Sequence, residues 1–355
     1  MTTLSIAPVF PQIHEHPVPW RPMARATWLQ HRAGLCSVLV LFTACALAIV
    51  LEQFATGANY ARYVADGCVV RPIHVPCGTI YNAIHAGTDA FASLVVVLQL
   101  FPVVIGVFVG APLLSREFES GTFRFTWTQG VGRTRFVITT LIFLAGLTMA
   151  AACILGLLLG WYAHPFEVIG AESQWQSGLF NATGFTLAAW TLFALVLGTF
   201  LGALIKRTVT ATVATAVSVG GLVVASFIVL VHRLLAVAPL TTSGSPFGVG
   251  LGVLNTGAVT GEGPSGSWLV RAWVTGPGGR VLSTAAANNL YFRLGSTKRV
   301  GSFDPTRWLS LHHAAYWVSY QPASRFWIFQ GVEGGVLVGL AVLLAFGTIW
   351  LVHRS

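Results

Sequence analysis

The sequence predicts an all-α membrane protein of six transmembrane helices, with a small extracytoplasmic, partly β segment between helices five and six. Three observations carry that expectation. The 355 residues are 55% hydrophobic and only 9% charged, whereas a soluble domain carries about 25% charged residues. Six apolar runs exceed the roughly 18 residues that mark a membrane helix. Between the fifth and sixth runs the pattern changes to short Trp-, Val- and Tyr-rich stretches punctuated by Gly and Pro, which reads as strands joined by turns.

Met1–Pro19 is polar and Pro-rich without an apolar h-region, so no cleavable signal peptide is expected and the tail reads as disordered. RPMARATWLQHR at Arg21–Arg32 sets Trp28 and Leu29 among basic residues and reads as a short helix lying in the membrane interface. The spans run Gly34–Phe54, Phe91–Leu114, Phe136–Tyr162, Phe180–Ile205, Val209–Leu230 and Phe326–Val352. Each crosses about 30 Å of hydrocarbon at about 1.5 Å per residue. The fourth and fifth are separated only by Lys206, Arg207 and Thr208. The organisation is then 1–33 for the tail and interfacial helix, 34–230 for helices one to five with a polar loop at 115–135, 231–325 for the extracytoplasmic segment, and 326–355 for the last helix and C-terminus.

Charge sets the expected topology. Six spans put both termini on one side, and that side holds Arg21, Arg25, Arg32, Arg116, Arg124, Arg133, Arg135, Lys206, Arg207 and Arg354. The opposite short loops hold only Arg62 and Arg71. The positive-inside rule makes the rich side cytoplasmic, so the chain reads as multi-pass with cytoplasmic termini. The net charge of +9 needs no nucleic-acid partner, since no basic stripe interleaves with stacking aromatics. Membrane lipids are the expected surroundings.

Cys36, Cys45 and Cys153 fall within apolar runs, where a free thiol behaves as a small apolar group. Cys68 and Cys77 lie in the first outer loop, and on an oxidising face such a pair is expected to be bridged. His74 and His85 lie nearby, but the spacing matches no standard zinc pattern, and no metal site is expected. No nucleophile or acid–base constellation is present, so no catalytic residue is assigned. A phosphate-binding loop needs a lysine after its glycine-rich turn. The only lysines, Lys206 and Lys298, sit between Ile205 and Arg207 and between Thr297 and Arg299. Any ATP-driven function therefore requires a separate ATPase chain.

Two places carry functional expectation. Glu333, in FWIFQGVEGG, is the one acidic residue well inside a predicted span, with Gln330 a turn away. An intramembrane carboxylate is costly and is a functional candidate by default. The alternative is a structural hydrogen bond or ion pair. Threonines 139, 140, 148, 191, 199, 210, 212 and 215 in spans three to five suit helix packing instead. The second place is the polar island SREFESGTFRFTWTQGVGRTR at Ser115–Arg135. Its helical start is broken by Gly121, Thr122 can cap the next turn, and Phe123, Phe125 and Trp127 flank Arg124. The island reads as a docking surface.

TWLQHR at Thr27–Arg32, GAPLLSREFESGT at Gly110–Thr122, WTQGVGRTRF at Trp127–Phe136 and YQPASRFWIFQGVE at Tyr320–Glu333, with six spans in similar order, together resemble the ABC-2 type permeases of ATP-binding-cassette exporters, especially an actinobacterial branch. The likeness is weakest over Val231–Ala323. The resemblance implies a half-transporter. A second permease copy, as a homodimer, would sit on two ABC ATPase subunits that bind ATP and Mg²⁺, with no cofactor in this chain. Arg116, Glu117, Glu119, Gly121, Thr122 and Arg133 would form the coupling element seated in the ATPase. The cargo would be a drug, antibiotic or lipid, amphipathic or apolar. A membrane sensor or accessory protein with a ligand-binding outer segment is the alternative, and a membrane-embedded enzyme a more distant one.

Overall fold

The computed structural model describes residues 20–69, 75–120, 133–228, 239–243, 266–276, 278–283, 313 and 315–354. Helix α1 runs Trp20–Ala65, α2 Val75–His85 and α3 Thr88–Ile105. A π-helical turn over Gly106–Gly110 joins α3 to α4, Ala111–Ser120. Then come α5 (Arg133–Val168), α6 (Ser177–Ala182), α7 (Gly184–Ile205) and α8 (Thr208–Ile228). Strands β1 (Leu240–Ser243), β2 (Trp268–Thr275) and β3 (Ala315–Gln321) precede α9, Phe326–Arg354. Six helical stretches are long and apolar enough to cross a membrane, and the small strand segment lies between the fifth and sixth. The expected all-α membrane class holds.

The six spans differ in burial. Those centred on α1, α8 and α9 expose most of their apolar surface, whereas α7 is enclosed by α3, α4, α5, α8 and α9. Small residues let it occupy the centre. A β-carbon added at Gly110 would stand 2.5 Å from Leu195 O, and one at Gly202 would stand 2.5 Å from Ala111 O. Such contact is possible only between bare backbones, which is how small residues drive helix association in lipid. The second span widens at this contact. Pro102 lies inside α3, and the Gly106 N–H is shared between Pro102 O and Val103 O as the π turn begins.

Several boundaries differ from expectation. Helix α1 is continuous from Trp20, so the expected interfacial helix and first span form one element, and it continues beyond Phe54 to Ala65. Helix α5 continues past Tyr162 through Pro165 to Val168. The segment after α1 contains α2, and a disulfide joins Cys68 to Cys77, both buried, with Cα atoms 5.5 Å apart. The bond holds α2 against the end of α1. The fourth span is interrupted at Thr183, between α6 and α7.

The strands form one antiparallel sheet in the order β1-β3-β2. Trp273 and Trp317 are cross-strand partners whose rings stack with centroids 6.5 Å apart. AYWVSYQ is the central strand. Met1–Pro19, the run NNLYFRLG and the turn-rich stretch at 244–265 lie outside the described residues.

Candidate functional site

Two polar regions interrupt the apolar bundle, one near each end of α7. The first is at the end that carries the sheet. Helix α6 stops at Ala182, Thr183 is extended, and Gly184 resumes the chain at φ +58°. That left-handed conformation favours glycine. A break leaves carbonyls and N–H groups unpaired, which is costly in a dry interior. Gln330 from α9 satisfies both sides of it. Its Nε2 donates to Phe180 O at 3.0 Å and Thr183 O at 3.3 Å, while its Oε1 accepts from the Thr186 N–H at 3.1 Å. Gln330 is 1% exposed. It is a cap supplied by another helix.

Glu333 stands one turn along the same face of α9, since residues three apart are helix neighbours. It too is buried. The Trp190 Nε1–H of α7 donates to its Oε1 at 3.4 Å, and its Oε2 has no hydrogen-bond partner among the described residues. Trp190 also lines a small cavity with Gln99, Pro102, Leu187 and Asn181, where Asn181 Nδ2 donates to Ser226 Oγ at 3.1 Å. The polar side chains around α7 thus form two separate pairs, Glu333 with Trp190 and Asn181 with Ser226. Trp190, Asn181 and Ser226 carry no site signal in the sequence, because each looks like an ordinary interfacial or packing residue in its own span. Above the break, Trp175, Phe180, Phe326 and Phe329 form an aromatic cluster with Trp268 of β2 packed on it. The Trp175 Nε1–H donates to Gly266 O at 2.9 Å.

The threonine hydroxyls expected to serve packing turn back on their own helices. Thr139, Thr148, Thr191, Thr199 and Thr215 each donate to the carbonyl four residues earlier.

The second region is at the opposite end of α7, where the 115–135 loop leaves and returns. Leu114 of α4, Val137 of α5, Ala203 of α7 and Val352 of α9 pack together there, with Phe118 beside them. Both flanks of the loop are therefore anchored to the bundle centre. Arg116 is exposed and Glu117 is buried. Glu119 is exposed, and its Oε2 accepts the Thr208 N–H at 2.9 Å. Arg133 is the first residue of α5. Gly121, Thr122 and the aromatic knob of Phe123, Phe125 and Trp127 lie outside the described residues. The two regions are not adjacent. Trp190 and Gly202 are separated by about 18 Å of helix at about 1.5 Å per residue.

Among the described residues no three or more His, Cys, Asp or Glu side chains group as a metal centre. The arrangement offers no nucleophile with a positioned base. Its chemistry is that of helix breaks, caps and anchored ends, parts suited to movement of one helix against another.

No curated protein and no solved structure matches the chain. A family described as ABC-2 membrane transporter related matches residues 36–231, from α1 through α8, which is more than half of the sequence. With its multi-pass helical bundle and a polar loop rooted at the bundle centre, the chain belongs to the ABC-2 membrane transporter related family.

Proposed function

We propose that this chain is the membrane-spanning permease subunit of an ATP-driven exporter in a bacterial plasma membrane. Both termini and the 115–135 loop would face the cytoplasm. The loop seats in a separate ABC ATPase, two copies of which bind ATP and Mg²⁺, and a second copy of this chain completes the pathway. Arg116, Gly121, Thr122 and Arg133 form the docking surface, with Glu117, buried near the end of α4, behind it. Glu333 meets the cargo or gates its passage, and the cargo is an amphipathic or apolar drug, antibiotic or lipid. The loop motifs resemble those of an actinobacterial branch of ABC-2 permeases.

The observation that carries this reading is the anchoring of both loop flanks on α7 and α9 within a chain of this family. A force applied to a loop so rooted is delivered to the bundle centre and not absorbed by a slack connector. The test is purification of the tagged chain from native membranes in mild detergent. A Walker-type ATPase should co-purify in equal proportion, and Gly121→Trp should reduce its recovery about tenfold, the loss expected of a central interface position. Recovery of the intact chain without any ATPase overturns the proposal and favours the sensor alternative.

A further inference from the structure

Helix α8 begins two residues after α7 ends, and its first N–H groups need acceptors. The residue ahead of a helix usually provides one from a Ser, Thr, Asp or Asn side chain. Here that position is Arg207, which has only donors. The acceptor comes from 89 residues away, as the Glu119 Oε2 takes the Thr208 N–H at 2.9 Å. A carboxylate at a helix N-terminus also meets the positive end of the helix dipole.

Two further contacts accompany this cap. Ser115 is wholly buried, donates to Ala111 O at 2.8 Å, and approaches Thr208 Oγ1 at 3.4 Å. The Lys206 ammonium sits 5.4 Å from the centre of the Phe118 ring. Lys206 itself turns the chain, at φ +58°, with its N–H closing on Gly202 O. Residues 115, 118 and 119 have the spacing of one helix face. That face of α4 therefore grips the α7–α8 turn by a hydroxyl, an aromatic ring and a carboxylate. Arg116 is left exposed.

We infer that Glu119 is a positioning residue which straps the end of the second span to the start of the fifth, so that a push on the 115–135 loop moves α4 and α8 as one unit. The inference rests on the coupling role proposed for that loop. It reassigns Glu119 from the ATPase-facing surface to the transmission behind it. It also adds the fifth span to the second and third, which flank the loop, among the elements the loop drives.

Hydrogen–deuterium exchange on the full complex in lipid nanodiscs tests this without knowledge of the cargo, comparing the nucleotide-free and ATP–vanadate-trapped states. In the unaltered chain, exchange should change on trapping both in residues 121–132 and in the first turn of α8. In Glu119→Ala, the loop should still respond while the α8 response disappears, and basal exchange at 208–211 should rise about five- to tenfold, as for a lost cap. Thr208→Pro removes the donor instead. Proline is well accommodated at the first helical position, so this variant should also lose the α8 response, and combining it with Glu119→Ala should add nothing further. Survival of the α8 response in either variant overturns the inference while leaving the coupling reading intact. Absence of any response in the unaltered loop overturns the coupling reading, and the strap falls with it.

Discussion

Glu333 and Gln330 share one face of α9, yet their chemistry differs. Every polar atom of Gln330 that faces the α6–α7 break has a partner, which marks it as structural. Glu333 has one long contact from Trp190 and one buried oxygen with no partner among the described residues. A buried polar atom left unmatched costs stability. Residues retained at such a cost are typical of functional positions, where stability is traded for activity. Replacing Glu333 with Met, which fills similar space without the carboxylate, should therefore raise the thermal unfolding midpoint, with a gain of order 1 kcal/mol. A fall in the midpoint, measured by scanning fluorimetry of the purified chain, would make the Trp190 contact the reason for the carboxylate and return Glu333 to a structural role.

At the scale of elements, the packing of α7 against the second span fixes where substitution is tolerated. Gly202 lies where an added β-carbon meets the Ala111 carbonyl, a backbone atom that cannot swing aside. Gly160 of α5 has nothing within 4 Å of such an atom. Gly202→Val should therefore destabilise the bundle by about 3 kcal/mol, the upper end of overpacking costs, while Gly160→Val should be close to neutral. Size-exclusion profiles and unfolding midpoints of the two variants compare them directly, and equal behaviour would show that α7 is not the rigid centre. The same packing explains what is legible in the sequence. Hydropathy locates all six spans because each must cross lipid. It misplaces the ends of α1 and α5 because backbone hydrogen bonding continues past the apolar boundary. The break at Thr183 is illegible because its satisfaction depends on Gln330, 147 residues away. The role of Glu119 is hidden in the same way, since its partner lies in another span. Helix α2 escapes notice because VPCGTIYNAIH carries the Pro and Gly of a loop, and only its disulfide to Cys68 shows it anchored to the end of α1.

Over the whole molecule, α7 links two differently built ends. At one end, α4, α5 and α9 pack on Ala203, and Glu119 adds α8. At the other, the sheet rests on the bundle through Trp175, which stacks on Trp268 with ring centroids 5.9 Å apart and donates to Gly266 O. The cluster also includes Phe326 and Phe329 from the first turn of α9. Strand β3 feeds α9 through Pro322 and a 3₁₀ turn at Ala323–Arg325, where Arg325 Nη1 donates to Gln321 Oε1 at 2.7 Å. The sheet is thus joined to α9 covalently and to the turn after α5 through Trp175 and through Gln174, whose Nε2 also donates to Gly266 O, at 3.0 Å. Movement of α9 against α5 would then change the seat of the sheet, which makes Trp175 the position to probe. Trp175→Ala should cost about 3 kcal/mol of local stability, as for truncation of a buried aromatic. Amide exchange in β2 and β3 should accelerate while the 208–211 amides at the far end stay unchanged. Trp175→Phe keeps most of the ring packing but lacks the donor to Gly266, so its β2 exchange should fall between the two. Equal exchange in all three chains would mean that the sheet is held without Trp175, through β3, α9 and the Gln174 bond to Gly266 O.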